Sequence, residues 1–595
     1  MEDRITMKPG LVDRVSSRRP ASMHLDIGRL LALAIWYAPY AIELVALVIL
    51  VRLAFARRSL AVSKSISRAF VRLARRRTMA ILFTGASALA ARALLLPVLP
   101  IRQPIITDEF SYLLTADTFA SGRLTNPTHP MWAHFESMHI FQHPTYAAQH
   151  HAAQGLILAV GQVVTGHPWA GVYASVAVMC ALLCWMLQGW LPAEWALLGG
   201  LLGVLRLGLF GYWINSYWGG AVAAIGGLLV LGAMPRLLRR IRVRDALFLA
   251  VGLAILANSR PYEGLLLGAP VCVWLAVRLL APRGPGWGTV AWRVVLPAAL
   301  VLGVAGVGTC YYYWRVTGNP FRMPYQVARD QYATARIYLW EQPLPVPAYR
   351  HQQMRDFYAG WELTKFLEAK SVGGLAWNTL GKAGAFWMFF LGPALTLPLL
   401  FGWRLFGDRR VRPLVVIGGI SVAGLALNTW FYAHYAAPMT GLIYVLVLQG
   451  LRHMRTWRID GFRVGTAIAR AVPAVCVGMV VLRVCAQPLS HYMPPDWPMT
   501  WYYTRPGNVE RARILEKLES QPGRHLAIVR YRPNHDYFEE WVYNRASIDT
   551  AQVVWAREMD DASNRELTRY FAGRDVWLVD ADAAPATVSP YPVCP

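Results

Sequence analysis

The chain has 595 residues, of which 55% are hydrophobic and only 16% charged, well below the ~25% charged residues of ordinary soluble proteins. A formal net charge of +25 invites a nucleic-acid reading, but the arginines fall in short clusters between apolar runs and not along one polar face. That pattern argues against nucleic acid and for a polytopic membrane protein. The seven cysteines are scattered, and they spell neither a disulfide framework nor a CxxC metal site.

The first twenty residues, MEDRITMKPGLVDRVSSRRP, are polar and hold no short apolar stretch ending in a cleavage site, so insertion is expected to use the membrane segments themselves. Apolar runs of bilayer-crossing length, about 20 residues, follow at 28–52, 79–98, 168–188, 193–211, 217–234, 245–260, 262–281, 294–314, 380–403, 413–430, 436–451 and 471–487. They predict an all-α polytopic membrane protein with about 12 transmembrane helices.

Lys/Arg clusters at 56–78, 235–244, 404–412 and 451–465 are expected on the cytoplasmic side. Parity then places 99–167, 315–379, the turn NSRPYE at 258–263 and the tail from 488 on the extracytoplasmic side. The 28–52 run conflicts with this, because a full span there leaves the arginine-bearing N-terminus outside. Either it is a re-entrant hairpin broken at Pro39, or the stronger cluster after it prevails.

Three regions result: an N-terminal extension at 1–78 with one hydrophobic segment, a membrane domain at 79–487, and a tail at 488–595. In the tail, RHLAIVRY and RDVWLVDAD read as short buried strands, and NVERARILEKLES and SNRELTRYFAG as amphipathic helices, which predicts a small extracytoplasmic α/β domain. Between 99 and 167, the apolar stretch 152–164 is too short to span and is expected to lie at the interface. The 315–379 segment is long and rich in aromatics and arginines, as functional loops often are.

Asp108 and Glu109 stand side by side just after an apolar run, with Phe110, Leu113, Leu114 and Phe119 at roughly helical spacing. A short amphipathic helix is expected to start near Thr107. The two acids either complement its dipole or provide a partly desolvated carboxylate, expected to carry a raised pKa and so able to act on a hydroxyl.

The pattern D-E-x-x-Y-x-x-x-A-x-x-F-A-x-G, carried by Asp108, Glu109, Tyr112, Ala116, Phe119, Ala120 and Gly122, resembles the first extracytoplasmic loop of the GT-C glycosyltransferases. The lipid A aminoarabinose transferase and protein O-mannosyltransferase type is the most similar. QHPTY at 142–146 resembles the proline-bearing second half of that loop. Where the family has Lys-Pro-Pro or Tyr-Pro-Pro, this chain has QHHAAQG at 149–155, so no lysine role carries over. The residue-level resemblance covers 99–180.

The resemblance implies a GT-C-like membrane domain and an enzyme of the inner (plasma) membrane. Its expected partners are a polyprenyl-phosphate-linked sugar, membrane lipids, and a lipid, glycan or protein acceptor. Asp108 then acts at the acceptor or organises the site, and Glu109 supports it or serves the helix dipole. No divalent metal is general in this branch.

A lipid phosphate leaving group needs cations near the interface. Arg260, with Glu263, interrupts an apolar stretch; Arg315 and Arg322 follow another helix end; His434 and Tyr435 stand at a third. Trp218, in the aromatic stretch GYWINSYWGG, is placed to stack on a sugar or prenyl chain, or belongs to an interface belt. His143 is one of six histidines in the first loop, with His129, His134, His139, His150 and His151. Their spacing matches no metal signature, so they are expected to hydrogen-bond substrate or backbone. Two other readings are a transporter or flippase of lipid-linked sugars, for which no internal repeat is visible, and a non-enzymatic, membrane-anchored glycan-binding protein.

Overall fold

A computed structural model describes residues 27–55, 64–282, 284–401, 407–459, 461, 463–486, 500–502 and 506–592. The N-terminal 26 residues, parts of three basic clusters and Cys594 lie outside them. Every apolar run falls on a helix. Among the described residues, six helices are long and apolar enough to cross a membrane: Trp169–Trp190, Ala221–Arg239, Pro261–Leu279, Trp287–Thr317, Val372–Leu400 and Val464–Cys485. Ala193–Leu207, Val243–Ala257, Arg412–Ala426 and Thr440–Met454 have 15 residues each, or ~22 Å of helix against a hydrocarbon core of ~30 Å.

The 28–52 run is one continuous helix, Ile27–Phe55, with Pro39 inside it. A single proline removes one backbone bond, which neighbouring elements offset, so the hairpin alternative falls. This helix is fastened to the bundle by Glu43, fully buried, which pairs with Arg206 at 3.2 Å and accepts the Ala394 N–H. Ala221–Arg239 runs through the middle of the bundle and is buried along most of its length.

The stretch at 152–164 forms the helix Ala152–Thr165, closed by Gly166 in the left-handed region (φ +80°). One face carries exposed Leu156, Val160, Val163 and Val164. The other packs against Thr107–Ala120 and Trp169–Trp190 at backbone distance. A Cβ on Gly161 would stand 2.2 Å from the Gly171 nitrogen, and one on Gly171 2.1 Å from the Ile157 oxygen.

The tail builds a four-stranded sheet in the order Val553–Arg557, His525–Arg530, Asp575–Asp580, Thr587–Pro590. The first three strands are parallel and the last antiparallel. Helices Val509–Glu519 and Asp561–Tyr570 accompany it. Leu526, Ile528, Val554 and Phe571 from this unit share one core with Leu114, Phe135, Ile140 and Tyr146 of the first loop. Phe357 and Tyr358 of the 315–379 segment pack with Tyr537 and Phe538. The two long loops and the tail therefore form one continuous layer.

Candidate active site

Beneath that layer is a cavity of about 680 Å³. Stretches far apart in sequence line it: 102–112, 139, 149–151, Trp218, 259–263, 323–362, 428–435 and 536–539. The helix Thr107–Ala120 begins at Thr107, and Glu109 fixes that start. Its Oε2 accepts the N–H of Ile105 at 3.0 Å and of Ile106 at 3.4 Å, and its Oε1 accepts the N–H of Tyr217 at 3.2 Å. Glu109 is fully buried, and these three amides make it the clamp between the first loop and the 211–220 segment.

Asp108, the adjacent residue, keeps 21% of its side chain open to the cavity. Its Oδ2 lies 3.4 Å from His139 Nδ1 and its Oδ1 3.2 Å from His150 Nε2. Burial works to raise the Asp108 pKa, as expected from the sequence, but the expected rise is overturned: the His139 and His150 rings outweigh burial and hold the carboxyl well below the usual carboxylate range. Burial lowers His139 despite the neighbouring acid, and burial together with Arg260 and His150 brings His151 down to about 3. Tyr112 stacks on His150, ring centroids 4.4 Å apart.

Arg260 caps the start of Pro261–Leu279, and its guanidinium lies over the Tyr435 ring at 4.3 Å. Burial disfavours its charge, but Tyr112, Tyr435 and Glu263 outweigh that and raise its pKa, so it is a permanent cation of the cavity wall. His434, 1% exposed, shares a 2.8 Å hydrogen bond with the Tyr212 hydroxyl, and burial followed by Arg260 keeps its pKa well below the ordinary range. Trp218 packs against Tyr432 and His434. Trp361 and Trp430 stack at 5.0 Å with Phe538 edge-on to Trp361.

The cavity thus brings together Asp108, Glu109, Tyr112, Trp218, Arg260, Glu263, His434 and Tyr435. It does not bring in His143, Arg315 or Arg322. His143 is exposed beside Trp132, ring centroids 4.7 Å apart. Arg315 is exposed and reaches the Tyr311 hydroxyl at 3.3 Å, and Arg322 pairs with Asp330 at 2.9 Å. The histidines divide by task. His129 pairs with Asp549 and His134 bonds the Arg557 carbonyl, tying the loop to the sheet, whereas His139, His150 and His151 line the cavity.

Sequence reasoning missed the pair Arg329–Glu362, both about 4% exposed and 2.9 Å apart, on the cavity wall. The sole signal for it was the concentration of arginines in the 315–379 segment. No group of three or more His, Cys, Asp or Glu among the described residues is arranged to hold a metal ion.

No family model matches the sequence, and no curated protein matches it. Among solved structures, the chain is similar to ArnT from Cupriavidus metallidurans in the apo state, at 13% identity and a TM-score of 0.43, covering 83% of this chain and 92% of that one. It is also similar to the archaeal oligosaccharyltransferase AglB from Archaeoglobus fulgidus in complex with an inhibitory peptide and a dolichol-phosphate, at 12% identity and a TM-score of 0.37, covering 83% and 69%. Both neighbours are GT-C fold glycosyltransferases.

Proposed function

We propose that the protein is a multi-pass membrane glycosyltransferase that moves a sugar from a polyprenyl-phosphate donor to an acceptor hydroxyl on the extracytoplasmic face. The observation that carries this reading is a single cavity in which an ionised carboxylate, Asp108, and a buried cation, Arg260, share aromatic walls. A carboxylate suits the acceptor hydroxyl and the positive charge that develops at the anomeric carbon. A guanidinium suits the departing phosphate. The stacked pair Trp361–Trp430 presents flat apolar faces to a sugar or prenyl unit.

In this mechanism the acceptor O–H donates to Asp108 and its oxygen attacks the anomeric carbon from the face opposite the phosphate. The new C–O bond forms as the bond to the phosphate oxygen breaks. The electron pair stays on the phosphate, steadied by Arg260. The proton passes to Asp108 only as the new C–O bond makes the acceptor oxygen an oxonium, acidic enough to give it up to a carboxylate held this low. In the proposed orientation, the helices of 15 residues complete further spans with the irregular segments that flank them, and the tail domain lies over the site on the outer side. The gene's deletion, followed by analysis of lipid-linked sugars and envelope glycans, tests the reading. It predicts accumulation of one lipid-linked sugar and loss of one glycan modification, restored by the wild-type gene and not by Asp108→Asn. Unchanged sugar profiles contradict it.

A further inference from the structure

The glycosyltransferase reading leaves His150 and Ser111 without a task, although neither is placed like a filler. His150 stands at the start of the Ala152–Thr165 helix, and its ring is held on three sides. Tyr112 covers one face with ring planes 29° apart. Nδ1 lies 2.8 Å from Ser111 Oγ, and Nε2 lies 3.2 Å from Asp108 Oδ1. Ser111 is fully buried, so its hydroxyl is closed to substrate and its role is toward the ring.

A serine hydroxyl has one proton to give and two lone pairs to receive with. Ser111 Oγ has two neighbours that accept, His150 Nδ1 at 2.8 Å and the His139 carbonyl at 3.0 Å. The His139 carbonyl also receives the Gln149 N–H at 3.0 Å, so it stays satisfied whichever way the hydroxyl points. When the hydroxyl donates to Nδ1, the ring is neutral and its proton is on Nε2. When the hydroxyl donates to the carbonyl, Nδ1 must donate to Oγ, and an ionised Asp108 then requires a second proton on Nε2, because two acceptors do not face each other at 3.2 Å. Both arrangements leave an N–H on Nε2 pointing at Asp108 Oδ1.

We propose that His150 is a positioning residue for Asp108: Ser111 and Tyr112 lock its ring so that Nε2–H always occupies Oδ1, leaving Oδ2 as the oxygen offered to the acceptor hydroxyl. His139, whose ring approaches Oδ2 at 3.4 Å and whose Nδ1 also meets the Thr107 hydroxyl at 2.9 Å, bounds the other side of that oxygen. His151 and His434 are further titratable groups that interact with His150, and Arg260 acts on both of them. The arrangement follows the general logic by which a third group fixes the tautomer and aim of a catalytic pair, with the carboxylate here as the member that meets substrate.

The test is a set of purified variants assayed for transfer from a polyprenyl-phosphate sugar: His150→Phe, His150→Gln, Ser111→Ala, Asp108→Asn, and Asp108→Asn combined with His150→Phe. His150→Phe keeps the stacking and removes the N–H, and is expected to lower kcat by about 100-fold, the scale of a misaligned reacting group, with the donor KM unchanged. His150→Gln, which restores an N–H donor, recovers kcat to within about tenfold, and Ser111→Ala falls between the two. The double variant is no slower than Asp108→Asn alone, because the two residues act as one unit. Thermal unfolding of each variant in detergent monitors folding, and Ser111→Ala carries the test if His150→Phe unfolds. If the wild type transfers sugar, Asp108→Asn does not, and the folded His150 and Ser111 variants match the wild type in kcat, the proposal is overturned while the glycosyltransferase reading stands. If the wild type transfers no sugar, the reading itself fails.

Discussion

At the scale of single residues, two adjacent acids have separate work. Asp108 faces the cavity, whereas Glu109 spends both oxygens on three backbone amides. Replacing Arg260 with lysine keeps a charge but removes the planar fork that matches a phosphate, and transfer is expected to fall by about 10²–10³-fold in kcat, the cost of losing one transition-state donor. The buried histidines give a pH dependence of stability. His151 and His351 are each held from 6.5 down to about 3, mainly by burial. Between those values the unfolded chain binds more protons than the folded one, so stability falls as pH drops through the window from about 6.5 toward 3. Asp108, depressed in the folded state, adds stability that is lost only at still lower pH. Thermal midpoints in detergent are therefore expected to decrease steadily from pH 7.5 to pH 4.5, and His151→Gln flattens that slope. The motif acids, Arg260 and His434 were legible in the sequence because they interrupt apolar helix ends. The sequence assigned a side to His143, Arg315 and Arg322 but not a distance, and the fold turns all three away from the cavity.

At the scale of elements, hydropathy located the apolar helices among the described residues, since a stretch of apolar residues leaves little alternative in a bilayer, but not the polar helices Lys64–Arg75, Pro324–Tyr332 and Leu363–Lys370. Helix lengths were less legible. The run at 193–211 ends as helix at Leu207 because Gly208 and the tightly packed 208–220 segment take over. The strands Val553–Arg557 and Thr587–Pro590 went unread because four or five residues are too few to show a period. The Ala152–Thr165 helix matters to the site because His150 and His151 lead into it. Its seat depends on Gly161 and Gly171, where backbones touch. Alanine at Gly171 must displace the Ile157 carbonyl, and overpacking of this kind costs about 1–3 kcal/mol. The expected outcome is a lower thermal midpoint together with reduced transfer, whereas alanine at Gly303, which has open space around it, leaves both unchanged.

At the scale of the whole molecule, the tail is part of the site and not an appendage, since Asp536, Phe538 and Glu539 line the same cavity as Asp108. Its anchor is Glu540, 2% exposed. Glu540 receives Arg557, the Ser137 hydroxyl, the Tyr531 hydroxyl and the N–H groups of Trp541 and Val542. Its own N–H donates to the Ile105 carbonyl, three residues before Asp108. Glu540→Ala strands Arg557 in the interior, and loss of one partner from a buried pair costs about 3–5 kcal/mol; circular dichroism melts of the solubilised protein should report it. This docking was invisible in the sequence, because contacts between 105–146 and 525–571 have no local signature. The central claim is that Asp108 is the group on which sugar transfer turns. Its most direct test is transfer of labelled sugar from a polyprenyl-phosphate donor by the reconstituted protein, wild type against Asp108→Asn. The account predicts transfer by the wild type and a loss of at least about 10²-fold in a variant that melts within a few degrees of it, and transfer by Asp108→Asn at the wild-type rate contradicts it.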